Sequence, residues 1–404
     1  MGDFYESHPY PPPADDLENY RRAWNDERRR ADSHLFWPHE PYREDRSILV
    51  AGCGTSQAAH YAVRWPRARV VGIDVSANSI AHELELKRRH KLDNLEVRQL
   101  AVERATELGE RFDYIVCTGV LHHLADPDAG LRALREILTP TGVLHVMVYA
   151  PYGRVGVYLL QDYCRRLKIG WSEREIDDLA ATLKALPPDH PLVPLLRNSA
   201  DFASAAGLAD ALLHPQDRAY SVPEFLEFLT IGGLKFGRWV RQAPYLPDCG
   251  AIANTPHASQ LRKLAAAEQF AALELLRGTM VRHAAVAYRD DAPARREVRF
   301  DTDSWLEYVP VRLPGTIAVR ERLPAGAAAV LINRNHTYTD LYFPIDAPRL
   351  ALWEAIDGKR TIAEILSDRD DRDAARGFFE QLYRWDQAVF ALRSVTPAAQ
   401  REIR

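Results

Sequence analysis

Two glycines, an acid downstream of them and two adjacent histidines are the residues whose types and spacing can do chemistry in this chain. Ile48 to Gln57 reads Ile-Leu-Val-Ala-Gly-Cys-Gly-Thr-Ser-Gln. It starts as the apolar run of a buried parallel strand, turns at Gly52 and Gly54, and continues into a helix-competent stretch. Glycine suits a turn where the backbone bends tightly and a ligand approaches at a distance that a Cβ would block. The full dinucleotide fingerprint wants a third glycine three residues after Gly54, and that residue is Gln57. The turn is therefore less a pyrophosphate cradle than a platform for an uncharged or cationic nucleoside. Asp74 closes the run Arg-Val-Val-Gly-Ile-Asp, about 20 residues past the turn, where a ribose-binding carboxylate is expected. Taken alone, the same acid reads as a cap for the helical stretch Val75 to His90.

Three places offer a general base. His122 and His123 follow the apolar run Phe112 to Cys117 and either touch a ligand or pack the loop. Tyr152 and Arg154 follow Tyr149, with Gln161 and Tyr163 a helical turn or two beyond; the alternative is a helix packed on the sheet. His214 and Asp217 could form an oriented-base pair, though an Asp at a helix entry is also an ordinary cap. No His/Cys/Asp cluster shows convincing ligand spacing, so no metal is expected. Cys53 and Cys117 read as small buried residues rather than nucleophiles.

Strands alternate with helices around these residues: Ser47 to Ala51, Arg69 to Asp74, Leu95 to Leu100, Phe112 to Cys117 and Val143 to Tyr149. That order predicts an α/β, doubly wound parallel sheet. The 404 residues suffice for two or three domains, and 47% hydrophobic with 27% charged content is that of a globular protein. A net charge of −4 gives no basic field for nucleic acid. No apolar run approaches the roughly 18 residues of a membrane span. Met1 to Pro13 lacks the basic start and apolar centre of a leader, and the four cysteines form no Cys-x-x-Cys pair, which predicts a reduced, cytoplasmic protein. Residues 1–13 read as a flexible tail, and Asp15 to Ser33 as a helix with a solvated charged face. Phe36, Trp37, His39 and Tyr42 then either fold over a ligand or strap the core, the second being the default.

The Ala-Gly-Cys-Gly turn, the Gly-Ile-Asp ending, Phe-Asp-Tyr-Ile-Val, Leu-His-His-Leu and the Leu-Thr-Pro-Thr-Gly turn occur in one order across about residues 44–150. Together they resemble a class I S-adenosylmethionine-dependent methyltransferase. The resemblance implies a Rossmann-like sheet ending in an antiparallel hairpin, with Leu234 to Val240 as strand six and Met280 to Tyr288 as strand seven. It implies S-adenosylmethionine as cofactor, held by Ala51, Gly52, Gly54, Gln57, Asp74, Val75, Ala101, Val102, Thr118 and His122, with His123, His214 and Tyr152 as candidates to act on the acceptor. Two departures stand out. Gln99-Leu100-Ala101-Val102-Glu103 lacks the usual acid at the end of strand three, and Thr141 replaces the second glycine of the turn before strand five.

The expected domains are a tail and helical cap over 1–43, a methyltransferase domain over 44–290, and a small α+β domain over 295–404. Helical insertions at about 150–220 and 242–278 are expected to cover the acceptor site. In the last part, Ile317 to Arg322 and Ala327 to Ile332 read as strands, and Arg349 to Ile356, Thr361 to Ser367 and Asp373 to Tyr383 as helices. The Ile-Asp-Gly-Lys-Arg-Thr-Ile turn there resembles small winged-helix domains such as the peptide chaperone of pyrroloquinoline quinone biosynthesis. Asp368, Asp370, Asp371 and Asp373 crowd its candidate recognition helix, which argues for protein contact or a homodimer rather than DNA. The expected function is methyl transfer to a small thiol, amine or hydroxyl by in-line displacement. The alternatives are a peptide or protein acceptor recruited through the C-terminal domain, and a cofactor-binding scaffold without turnover. A nicotinamide oxidoreductase fits less well because of Gln57 and the terminal hairpin.

Overall fold

The computed structural model describes residues 6, 10–14, 16–293, 297–366 and 371–392. Most of the expected N-terminal tail, the helix end Ser367 and the acids Asp368 and Asp370 lie outside the described residues. The chain divides into two compact units: Met1–Ala23, Glu44–Trp239 and Phe270–Ala292 form one, and Trp24–Arg43, Val240–Gln269 and Pro293–Arg404 the other. Among the described residues no helix is long and apolar enough to cross a membrane.

The first unit is built on seven strands: β1 Ser47–Ala51, β2 Arg69–Asp74, β3 Leu95–Gln99, β4 Phe112–Thr118, β5 Leu138–Tyr149, β6 Leu234–Trp239 and β7 Arg282–Arg289. Their order is β3-β2-β1-β4-β5-β7-β6. The first five run parallel, and β7 is antiparallel to both β5 and β6. The doubly wound sheet and its terminal hairpin are thus as expected. Ile48, Leu49, Val50, Val70, Val71, Ile115 and Val116 are buried on both faces, which is why these strands read as continuous apolar runs. β5 starts earlier than expected and takes Thr139-Pro140-Thr141-Gly142 into the strand, with a register shift on β4 between Phe112 and Tyr114.

The helix Gln57–Arg64 leaves the glycine turn, and its N-cap, Ser56, makes no side-chain cap. Its orphan amides are met from another helix. Glu83, on Ala77–His90 and fully buried, accepts from Ala58 N at 2.8 Å and Ala59 N at 2.9 Å. The 150–220 insertion forms helices, among them Val155–Leu167, Glu173–Leu183 and Ala205–Leu213, around a core of its own that includes Val157, Leu160, Ile176, Leu179 and Leu208.

The second unit pairs β8 Tyr308–Arg312 with β12 Ala388–Leu392, and β10 Ala329–Asn333 with β9 Thr316–Val319 and β11 Phe343–Ile345, all antiparallel. Helices Ala347–Ala355, Ile362–Ile365 and Arg372–Arg384 close a core rich in Phe300, Trp305, Trp353, Phe378 and Phe390. β8, β11 and β12 have no counterpart in the sequence reading. Asp26–Phe36 packs against β8 and β12, and Leu392 N donates to Pro38 O, so the aromatic segment straps this core. Val240–Gln269 makes hydrogen bonds within this unit. Ala243 N donates to Asp386 Oδ2 at 2.9 Å, Gln242 Nε2 to Tyr383 O at 2.6 Å, and Asp248 pairs with Arg384 at 3.1 Å. The helix Ala266–Arg277 returns to the first unit, where Glu274 accepts from Val222 N and contacts His283.

Burial pushes the Glu83 carboxyl up to about 8, against the pull of its two amide donors. Its folded value lies above the unfolded one, so the folded state holds the extra proton between about 4.5 and 8 and loses stability as pH rises through that window. The unfolding free energy of the wild type, read from urea midpoints, should fall relative to that of Glu83→Gln between pH 5 and 8, by up to roughly 1.4 kcal/mol per pH unit. A gap between the two proteins that does not change with pH would sink this account.

Candidate functional site

At the carboxyl ends of β1 to β5 the first unit encloses a cavity of about 560 Å³. That is the crevice where doubly wound sheets take their ligands, and the volume suits a small molecule. Its floor is the glycine turn. Gly52 has φ +71° and Gly54 φ +55°. A Cβ on Gly52 would lie 2.3 Å from Val120 Cγ2, and one on Gly54 2.8 Å from Tyr10 O. Ile73 O accepts from both Gly52 N and Cys53 N, which ties the turn to β2.

Asp74 fixes the same turn from the next strand. Its Oδ2 accepts from Gly54 N at 2.8 Å and its Oδ1 from Ser76 N at 2.9 Å. The capping and ligand readings of Asp74 are therefore compatible, because each carboxylate oxygen keeps a second lone pair for a ligand. Burial raises its pKa, and the amides of Ser76, Gly54 and Val75 pull it back. Gln57 Nε2 donates to Thr118 Oγ1 at 2.9 Å across the cavity floor. Val75, Leu100 and Val102 line the apolar end.

The other end is a column of rings. His214, His123, His122 and Tyr149 follow one another at centroid separations of 4.1, 4.2 and 4.0 Å. The Arg154 guanidinium lies 3.6 Å from the Tyr149 ring centroid. His123 lines the cavity, and its Nδ1 donates to the Gln216 carbonyl at 2.8 Å, which leaves the Nε2 lone pair available. Burial lowers the His123 pKa, opposed by the charge of Asp217 and the Gln216 carbonyl. Burial likewise takes His214 down to about 4 and His122 well below the usual range, so these imidazoles are neutral at pH 7.

Of the residues expected to hold the cofactor or act on the acceptor, Gly52, Gly54, Gln57, Asp74, Val75, Val102, Thr118 and His123 line the cavity. Five do not. Ala51 and Ala101 lie just outside, with the Ala51 side chain buried in β1. His122 is buried behind His123, held by its ring neighbours. His214 does not line the cavity, and its ring packs on that of His123. Tyr152 sits in a short 3₁₀ turn with its side chain 40% exposed. The Asp of the expected His214–Asp217 pair instead contacts Arg154 at 3.4 Å and Gln161 Nε2 at 2.9 Å. Burial raises the thiols of Cys53 and Cys117, so neither is a thiolate at neutral pH.

Sequence reading missed one wall. Tyr10, Pro11, Tyr20 and His60 line the cavity, with Thr55 Oγ1 donating to Pro11 O at 2.7 Å and the Tyr20 and His60 rings 4.4 Å apart. The only hint was the aromatic content of a segment that otherwise reads as a tail and a solvated helix. Arg282, paired in register with Tyr149 on β5, was missed as well.

Residues 49–144 match the family model of a methyltransferase domain. An uncharacterized protein of Synechococcus sp. is 32% identical over 209 residues, 50% of each chain. Trans-aconitate 2-methyltransferase of Deinococcus radiodurans is 35% identical over 130 residues, 32% of this chain and 46% of that one. The chain spans about half the length of the curated relatives it matches. The solved structure of PKMT2 from Rickettsia typhi aligns with a TM-score of 0.63 at 16% identity, covering 95% of this chain and 77% of that one; its complex with AdoHcy aligns at 0.60. Residues 49–144 thus match a methyltransferase domain, and the sheet that carries them shares its fold with PKMT2.

Replacing Gly52 by Ala forces a left-handed φ and drives the new methyl into Val120. The expected loss is roughly 1–3 kcal/mol, read as a lower urea midpoint at an unchanged m-value. An unchanged midpoint would contradict the geometry.

Proposed function

We propose that this chain is an S-adenosylmethionine-dependent methyltransferase acting on a small thiol, amine or hydroxyl. The observation that carries the reading is the cavity itself, with a glycine turn and a carboxylate at one end and a neutral imidazole at the other. The residues fit the cofactor. Gly52 and Gly54 leave room for it, Asp74 and Val75 suit the ribose, Val102 and the backbone at Ala101 the adenine, and Gln57 with Thr118 the methionine part. When bound, the cofactor supplies a methyl group activated by its sulfonium charge, ready for in-line displacement.

The chain's own part is alignment, exclusion of water and proton handling. Alignment alone can contribute up to ~7–11 kcal/mol to the barrier. Tyr10, Pro11 and Tyr20 form the wall that keeps water from the reacting atoms. His123 Nε2 takes the proton of an acceptor that still holds one at neutral pH, and the Gln216 carbonyl keeps the ring in that tautomer. The methyltransferase domain is proposed to comprise the parts of 44–290 that lie in the first unit, Glu44–Trp239 and the stretch from Phe270 onward, with helices of the 150–220 insertion near the acceptor.

A second reading is a peptide or protein acceptor recruited through 295–404. It is favoured by a second unit with its own core, whose winged-helix-like character would suit a protein partner or a second copy. The cytoplasm is the proposed location, in keeping with four buried cysteines.

Calorimetric titration with S-adenosylmethionine and its demethylated product tests the cofactor. Wild type should bind both, and Asp74→Ala should lose on the order of 1–3 kcal/mol. With a thiol or hydroxyl acceptor, His123→Gln should lower kcat by roughly 10²–10⁴ while cofactor affinity holds. Failure of wild type to bind either ligand would sink the reading. Full turnover by His123→Gln would remove the imidazole from the mechanism.

A further inference from the structure

Behind the cavity wall formed by His123 lie two side chains, His122 and Asp217, that the methyl-transfer reading does not use. One ring nitrogen each of His122 and His123 and one carboxylate oxygen of Asp217 lie within 4.8 Å of one another. His122 is 1% exposed, and neither of its ring nitrogens has a hydrogen-bond partner among the described residues. The Asp217 side chain is 2% exposed, and its Oδ1 is likewise buried without a partner. Buried polar atoms left without a partner are costly, and an electropositive ion that joined these side chains would satisfy them.

We propose that His122, His123 and Asp217 form a site for one borderline divalent transition-metal cation of the Zn²⁺ or Co²⁺ type, beside the acceptor end of the cavity. The proposal deepens the methyltransferase reading and rests on it for the role of the ion, though not for its binding.

The surroundings have the form of a ligand-orienting shell. His123 Nδ1 is tied to the Gln216 carbonyl, which fixes the ring's orientation and tautomer. Asp217 Oδ2 is held by Gln161 Nε2 and faces Arg154, leaving Oδ1 as a single-oxygen ligand. Arg154 also answers the Asp217 charge, so the site offers imidazole nitrogen rather than surplus negative charge. That selects Zn²⁺ or Co²⁺ over Mg²⁺ and Ca²⁺, which want several oxygens. A tetrahedron with bonds of about 2.1 Å has edges of about 3.4 Å, a separation within reach of side chains whose ligand atoms already lie within 4.8 Å of one another. Two imidazoles and a carboxylate leave a fourth position open, as in sites that bind an exchangeable ligand. A loaded ion takes up the His123 lone pair. A coordinated thiol or hydroxyl then loses its proton to solvent under the charge of the ion rather than to the ring.

The test uses the untagged full chain after treatment with a chelator, dialysed against Co²⁺ and followed by metal analysis and visible absorption. Wild type should take up about one Co²⁺ per chain, with the intense visible bands of a low-coordinate site, and should ignore Mg²⁺. Asp217→Asn and His122→Gln should each weaken Co²⁺ binding at least ~10-fold, while His257→Gln, on the surface, should not. Near-ultraviolet circular dichroism of the metal-free variants establishes that they fold; if one does not, wild-type stoichiometry and spectrum decide. Substoichiometric uptake by wild type, or equal affinity in both folded ligand variants, overturns the site and leaves the orphaned atoms to buried water. Calorimetry with S-adenosylmethionine on the metal-free protein separates the failures: no cofactor binding there sinks the methyltransferase reading, whereas no Co²⁺ uptake sinks only the metal.

Discussion

One carboxylate determines whether the cavity exists. Asp74 leaves the end of β2 and holds the amide of Gly54 on one side and that of Ser76 on the other. The first bond pins a turn whose two glycines lie in a backbone region that costs an L side chain about 1–2 kcal/mol. The second starts the helix Ala77–His90, whose Glu83 then reaches back under the same turn. Floor, flank and supporting helix are thus one hydrogen-bonded structure anchored at a single side chain.

The opposite end is built differently. There, rings and a guanidinium stack from His214 to Arg154, and desolvation rather than hydrogen bonding sets their character. A cavity with a rigid polar floor and a neutral aromatic wall distinguishes its two occupants by chemistry. The floor presents fixed donors and acceptors to a nucleoside, and the wall presents polarizable faces and lone pairs to whatever is to be modified.

The parts legible in the sequence were those whose partners lie close along the chain or at a fixed spacing. Gly52, Gly54 and Asp74 could be read because a strand, a turn and the next strand impose their separation. The parallel sheet followed for the same reason, since alternating strands and helices admit few topologies. His123 was legible as a candidate, but its geometry was not: Gln216, which orients it, lies 93 residues downstream. His214 and Asp217 looked like partners because they are neighbours in sequence, yet the loop turns one towards His123 and the other towards Arg154 and Gln161. Tyr10 and Pro11 were hidden by their setting, because prolines in an acidic terminal segment look like a tail until a turn is present for them to cover. β8 and β12 pair across most of the second unit, a separation at which local patterning carries no signal.

The support of the helix Gln57–Arg64 also has an electrostatic consequence. In many doubly wound folds the first helix after the glycine turn points free amides at its ligand, and those amides are what hold a phosphate. Here Ala58 N and Ala59 N are already engaged by a carboxyl group from inside the protein. The anion hole is filled from within, and the carboxylate of Asp74 stands at its edge. A nucleotide carrying phosphates would find its usual welcome taken and an acid in its place. A nucleoside with a positive centre meets no such penalty, so the fold discriminates by sign of charge before any contact to base or sugar is made.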